Sequence, residues 1–278
     1  MGGAAVVLNA GEAAYLEAVL GEGVSEALRD EALAEVLRGY EQGVNVAEMA
    51  ARRQMILSRA ASRLAARAHP VPAKMRSSAP RESVTEAAVE ITHDGFFLTR
   101  RYHLRAPLFD GGRSEVLARE VFVATDAALV LPYDPVRDRL LLVEQFRMGP
   151  YGRGDPRPFM LEPVAGRVDG DETPEETARR ECREEAGLDL RWLEKISSHY
   201  CTPGYSTEFF HLFVGICDLP EMTQGRGGLK TEHEDIRTHV VGFARAMELL
   251  RSGEANNGPL VLSLLWLERE RARLRAAG

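Results

Sequence analysis

Three glutamates, Glu181, Glu184 and Glu185, fall within one short stretch, RECREEAGL, from Arg180 to Leu188. Spacings of three and four bring their carboxylates to one helix face about one turn long. Like charges at that spacing repel by about 0.2–0.5 kcal/mol per pair on an open helix, and by more when buried, unless a cation lies between them. Two chemistries satisfy the pattern. Arg179, Arg180 and Arg183 could neutralise the glutamates on a solvated face. Alternatively, the carboxylates could gather around Mg²⁺, a hard ion that keeps several waters and binds the phosphate oxygens of its substrate. The preceding apolar stretch and glycine-containing loop, FMLEPVAGRVDGDE, favours the second chemistry, because hard ligands on a rigid helix beside a loop suit that ion.

The helix that must position these groups carries its own start and stop signals. Thr173 can cap, Pro174 suits the first turn, and Glu175 and Glu176 favour the positive end of the dipole. Gly187 ends it. Around it the chain reads as strands: DAALVLPYDPVRDRLLLVEQFR as a pair about a Pro-Tyr-Asp-Pro turn, then WLEKISSHYCTPG and STEFFHLFVGICDL. FARAMELLRSG and LVLSLLWLERERARLR keep helical spacing, the second with apolar Leu262, Leu265 and Trp266 ahead of an arginine-rich, solvated end. Strands alternating with helices predict a mixed sheet covered by helices, an α/β sandwich.

Ahead of this region, VTEAAVEITHDGFFLTRRYHLRA and SEVLAREVFVA read as an antiparallel sheet with a turn at DGGR. Residues 69–83, rich in proline and small polar residues, read as a linker. Residues 11–68 read as three amphipathic helices, the third running unbroken through VAEMAARRQMILSRAASRLAARA, with Met49, Met55, Leu57 and Leu64 as a packing stripe. No chemistry is visible there. The expected organisation is a helical extension over 1–68, a linker over 69–83, a β subdomain over 84–125 and an α/β domain over 126–278.

Composition excludes several classes. A chain of 278 residues with 45% apolar and 28% charged residues is an ordinary globular protein, long enough to bury a proper core. No apolar run approaches the ~20 residues of a membrane span, and the N-terminus lacks the pattern of a secretory signal, so a cytoplasmic protein without membrane partners is expected. A net charge of −7 argues against non-specific nucleic-acid binding. Cys182, Cys201 and Cys217, odd in number and without C-x-x-C spacing, read as buried, reduced structural thiols.

From Gly166 the chain reads G, five residues, Glu172, seven residues, then Arg180-Glu181-x-x-Glu184-Glu185-x-Gly187 and an apolar residue. This resembles the Nudix box throughout, with Cys182 where the pattern has an aliphatic residue. The resemblance implies a Nudix α/β/α sandwich with a mixed sheet, preceded by an antiparallel β subdomain and the helical extension. It implies that Glu181, Glu184 and Glu185 ligate catalytic Mg²⁺, with Mn²⁺ as the alternative ion, that Arg180 orients them, and that Glu172 supports the loop. The flanks are similar to the ADP-ribose pyrophosphatase subfamily. LEPVAG matches the segment whose carbonyl, at Ala165, joins the metal ligands, and Pro203 stands fifteen residues after Leu188 as in that subfamily. TEHEDIRTHVV resembles its acidic loop, which implies Glu232 as general base and Glu234 as a further metal-associated carboxylate, with Glu184 or Glu234 the base if Glu232 is not.

Further residues follow from the same resemblance. Arg119 and Arg147 are expected on the substrate, since a guanidinium can fork onto phosphate or stack on a base. Phe96 could stack on adenine or be a core aromatic in an edge strand. Glu144 could accept from adenine or pair with Arg147. Glu208 could face ribose hydroxyls or be an exposed strand glutamate, and Pro203 could be a plain turn residue. The resemblance covers about residues 84–270, implies a homodimer to which Phe96 and Arg119 contribute across the interface, and leaves the first 68 residues without a role. The implied reaction is hydrolysis of ADP-ribose to AMP and ribose 5-phosphate. The alternatives are another nucleotide sugar, such as GDP-mannose or ADP-glucose, and a non-catalytic sensor that keeps the fold.

Overall fold

The computed structural model describes residues 7–69, 72–219, 224–228 and 234–277. The chain divides into two compact units. The first comprises Met1–Asp126, Asp169–Asp171 and Tyr200–Glu208, and the second Ala127–Val168, Glu172–His199 and Phe209–Gly278.

In the first unit, α1 (Ala10–Leu20), α2 (Glu26–Glu41), α3 (Val46–Ala51) and α4 (Arg53–Ala68) pack around Leu16, Leu20, Leu28, Val36, Ile56 and Leu57. Asn9, Ser25 and Asn45 cap the first three through their side-chain oxygens, each satisfying a donor that the helix itself leaves open. The third predicted helix is broken in two at Arg52. There the backbone N–H turns to Met49 O at 3.0 Å, a tighter three-residue closure, while the side chain is held by Glu48 and by Asp94. The strands β1 (Thr85–Asp94), β2 (Leu98–Arg105) and β3 (Leu117–Val123) form an antiparallel sheet in that order, with the DGGR turn closed by Leu108 N–H to Gly112 O. Most of β1 is solvent-facing.

The second unit is an eight-stranded sheet with helices on both faces. Its main path runs β10 (Gln224–Gly227), β11 (Ile236–Gly242), β5 (Arg139–Phe146), β4 (Asp126–Asp134), β9 (Phe209–Ile216), β8 (Trp192–Tyr200), with β6 (Phe159–Glu162) on β5 and β7 (Val164–Arg167) on β4. Alternation along the strands builds two cores, because successive side chains point to opposite faces. Ala128 and Val130 of β4, and Leu141 and Val143 of β5, meet Ala178 and Cys182 of α6 (Pro174–Ala186). Leu131, Tyr133, Leu140 and Leu142 meet α7 (Phe243–Ser252) and α8 (Gly258–Ala277) on the other side. These helices and strands make the α/β sandwich expected.

Two sequence readings are corrected here, and the buried face of α8 is defined. In α8 the buried stripe is Leu260, Leu264, Leu267 and Leu274, while Leu262 and Leu265 are exposed. The α8 arginines are not simply solvated, since Arg271 and Arg275 converge on Asp138 and Arg271 lies over the Phe243 ring at 4.3 Å. Cys182 and Cys217 are buried thiols, whereas Cys201 is exposed just past the end of β8. No helix among the described residues is long and apolar enough to cross a membrane.

Candidate functional site

The α6 helix is fixed at both ends before any contact with the sheet is made. Thr173 Oγ1 accepts from Glu176 N–H at 3.2 Å, and the Glu176 carboxylate accepts from Thr173 N–H at 2.8 Å, a reciprocal capping box. Gly187, in the left-handed conformation, closes the other end. Between these stops one face carries Glu181, Glu184 and Glu185.

Of the three arginines that could neutralise those glutamates, only Arg180 does. Its Nη1 donates to Glu181 at 2.6 Å and to Glu184 at 2.9 Å. Nε and Nη2 fork onto Glu172 at 2.7 and 2.9 Å, and Nη2 also reaches the Arg167 carbonyl at 3.4 Å. Glu172 is held in turn by the Thr177 hydroxyl at 2.8 Å. Arg179 and Arg183 point elsewhere, to the Leu190 carbonyl and to Asp189. The charged-face reading holds for Arg180 alone.

Glu185 is 1% exposed and accepts from Ala165 N–H at 3.2 Å. Burial pushes its carboxyl up to about 9, the Glu181 and Glu234 charges add to the shift, and the Ala165 N–H and Arg147 oppose it. Glu181 is raised to about 7, again by burial first, with Arg180 lowering and Glu184 and Glu234 raising it. Beneath it Gly166 leaves no room: a Cβ there would overlap the Glu181 carboxylate. On the other side Gly227 of β10 lies against the last turn of α6, where a Cβ would overlap the Glu185 carbonyl, and Gly228 N–H donates to the Glu184 carbonyl at 3.3 Å.

Carboxylates raised by burial and by neighbouring carboxylates need positive charge, and an all-oxygen set of this kind fits a hard divalent cation. Among the described residues no three acidic, His or Cys side chains stand in a geometry that could hold a metal ion. Glu181 and Glu184 are turned to Arg180, and Glu185 to the Ala165 N–H. The donor set fits; the side-chain orientations serve the internal pairs.

The remaining predicted residues separate by unit. Glu144 and Arg147, at the end of β5 and just beyond it, share the second unit with the carboxylates. They do not pair with each other: Glu144 Oε2 takes His239 at 2.8 Å and Arg237 at 3.4 Å, and Arg147 takes Glu162 at 2.7 Å. Burial raises the Glu162 carboxyl despite that arginine. Glu234 lies just before β11, and Glu232 falls outside the described residues. Phe96, Arg119, Pro203 and Glu208 belong to the first unit. Phe96 is 69% exposed and packs edge-on against Phe97, so it is not a core aromatic. Arg119, exposed on β3, donates to the neighbouring Ala118 carbonyl. Pro203 sits in the turn after β8, and Glu208 precedes β9 rather than lying within a strand, its carbonyl accepting from Cys201 N–H.

Sequence reasoning passed over a cavity lined by Glu144, Phe159, Arg226, Asp235, Ile236 and Arg237. Arg226 and Arg237 are direct cross-strand neighbours, a juxtaposition that costs energy. The only available signal was their position near the acidic loop, since the pairing of β10 with β11 cannot be read from spacing.

Comparison with known proteins bears on the family and the fold. The NUDIX domain family model matches residues 123–263, just over half the chain. The ADP-ribose pyrophosphatase of Escherichia coli (strain K12) is 39% identical over 181 residues, 65% of this chain and 86% of its own length. A GDP-mannose pyrophosphatase of Salmonella paratyphi A is 33% identical over 189 residues, 67% of this chain and 96% of that protein. A solved structure described as an ADP compounds hydrolase shares the fold, with a TM-score of 0.51 at 24% identity over 69% of this chain and 98% of its own.

Proposed function

The chain belongs to the Nudix family, and on that premise we propose that it is a divalent-metal-dependent pyrophosphatase hydrolysing ADP-ribose to AMP and ribose 5-phosphate. The observation that carries this reading is the convergence at the box positions of buried Glu185 and largely buried Glu181, both raised by burial and Glu185 further by the Glu181 charge. Similarity to ADP-ribose pyrophosphatases over 86% of the length of one of them supports the substrate.

Glu181, Glu184 and Glu185, with the Ala165 carbonyl and Glu234, would hold Mg²⁺ or Mn²⁺. The bound ion supplies charge neutralisation at the diphosphate and a nucleophilic water at neutral pH. Arg180, braced by Glu172, keeps the carboxylates in place. Glu232 takes the proton of the attacking water, a task suited to a group that acts once substrate is bound. By the same resemblance Arg147 and Glu144 are the candidate substrate contacts of the second unit, and Arg119, Phe96, Pro203 and Glu208 those of the first, with Arg119 and Phe96 acting across the dimer interface. Val89, Phe96 and Phe109, all large, apolar and exposed in the first unit, support a homodimer formed through the β subdomain. Location in the cytoplasm belongs to the same reading.

The similarity to a GDP-mannose pyrophosphatase favours one second reading, a pyrophosphatase for another nucleotide sugar. A panel of ADP-ribose, GDP-mannose and ADP-glucose with Mg²⁺ tests the choice. ADP-ribose is expected to lead in kcat/KM by at least about tenfold, equivalent to about 1.4 kcal/mol of transition-state discrimination. A lead by GDP-mannose transfers the assignment, and no turnover of any would leave the sensor. Glu232→Gln is expected to lower kcat by ~10²–10⁴-fold; an unchanged kcat in the same assay moves the base to Glu184 or Glu234.

A further inference from the structure

The helices of the first unit hold the middle of the loop that leads into α6. Asp169–Asp171 belongs to that unit, although Val168 before it and Glu172 after it belong to the other. Gln54 Nε2, on α4, donates to both Asp169 carboxylate oxygens, at 3.1 and 2.9 Å. Beside it Gly170 lies on the helical core: a Cβ there would come within 3.0 Å of Leu28 Cδ2 and 3.1 Å of Leu57 Cβ, and both leucines are buried. A second point on α4 acts nearby in the chain. Ser62 Oγ accepts from Asp126 N–H at 2.7 Å, where β4 begins, and the next residue, Ala127, is paired with Arg167 of β7.

The held segment is short. It starts two residues after Arg167, whose carbonyl accepts from Arg180, and ends one residue before Glu172, on which Arg180 forks. Fixing Asp169 and Gly170 therefore limits where Glu172 can place its carboxylate. The solved ADP compounds hydrolase structure matches 69% of this chain with 98% of its own length, so the remainder of this chain is additional to it.

We propose that α4 is a built-in clamp on this loop, with Gln54 its positioning residue: it sets Glu172, through Glu172 the Arg180 guanidinium, and through Arg180 the carboxylates of Glu181 and Glu184. The helical extension thereby tunes divalent-ion binding at a site to which it contributes no ligand. This inference rests on the reading of those glutamates as metal ligands.

The test is a series at Gln54 in the full chain. Gln54→Ala removes the donor, Gln54→Glu sets a like charge against Asp169, and Gln54→Lys restores a donor. Mn²⁺ binding, followed by its electron paramagnetic resonance signal without substrate, is expected to weaken about three- to tenfold in the Ala variant. That is less than the roughly 10–100-fold cost of losing a direct outer-shell partner. Weakening should be greater in Glu and absent in Lys. Amides of Val168–Asp171 should exchange faster in Ala and Glu, while KM for ADP-ribose at saturating metal is unchanged. Unaltered Mn²⁺ affinity and loop exchange in the Glu variant overturn the clamp. Wild-type turnover, measured beside it, judges the metal-site reading separately, so the two failures are distinguishable.

Discussion

Glu185→Gln is expected to reduce kcat by ~10²–10⁴-fold, the range found for groups that act at the reacting centre, and at the same time to leave the protein as stable or more so. The two effects separate because the side chain is buried and its carboxyl is raised to about 9 by burial and by the Glu181 charge. An isosteric amide keeps the shape and removes an unwelcome charge. The sign follows from linkage: a carboxyl whose folded pKa exceeds its unfolded value contributes stability at low pH and loses it as pH rises through the folded value. In a chelating buffer, stability should therefore fall between about pH 4.5 and 9, through the raised values of Glu181 and Glu185. The variant should lose part of that slope. Scanning fluorimetry across pH, with steady-state kinetics in Mg²⁺, checks both halves. A variant that unfolds earlier at pH 8 and keeps its turnover would remove Glu185 from the metal set.

Arg180→Met is expected to have the largest effect on stability. Its guanidinium serves Glu172, Glu181 and Glu184 together, and breaking a buried pair costs about 3–5 kcal/mol. Arg180 is 28% exposed, so solvent screening lowers this to about 2–3 kcal/mol. At about 2–4 °C per kcal/mol for a chain of this size class, the melting temperature should drop by about 4–12 °C. Mg²⁺ should restore part of that loss, since it can stand between Glu181 and Glu184, while Glu172 stays uncompensated. Thermal shifts with and without Mg²⁺ decide the matter. If the ion restores nothing, Arg180 and the metal do not share those carboxylates.

The helix bearing the glutamates was legible because its signals are local. Thr173, Pro174 and Gly187 act within a turn of their own positions, and the convergence of Glu181 with Glu184 and Glu185 follows from helical pitch alone. The paired strands β4 and β5 were legible for the same reason, with Asp134 Oδ1 accepting from Val136 and Arg137 N–H inside the turn. What escaped needs contacts distant in sequence. Glu144 was left between adenine and Arg147, yet its partners His239 and Arg237 arrive from β11, 95 and 93 residues away. Arg52, where the helix breaks, takes a partner in Asp94 from 42 residues away, and which leucines α8 buries depends on which face meets the sheet. The attachment of Asp169–Asp171 to the helical unit has no periodicity to announce it.

The two glycines that flank the carboxylate helix also bear on how this enzyme could be hardened. Replacing glycine by alanine commonly adds about 0.4–1 kcal/mol by stiffening the unfolded chain, where the native backbone accepts a side chain. Gly166 and Gly227 are closed to that strategy, since the added methyl group would occupy the place of Glu181 or of the Glu185 carbonyl. Gly149 and Gly152, in the short α5 helix (Met148–Arg153), have nothing within 4 Å of an added Cβ and no positive φ. An engineer seeking thermal tolerance should therefore spend substitutions there and leave both walls of the helix bare.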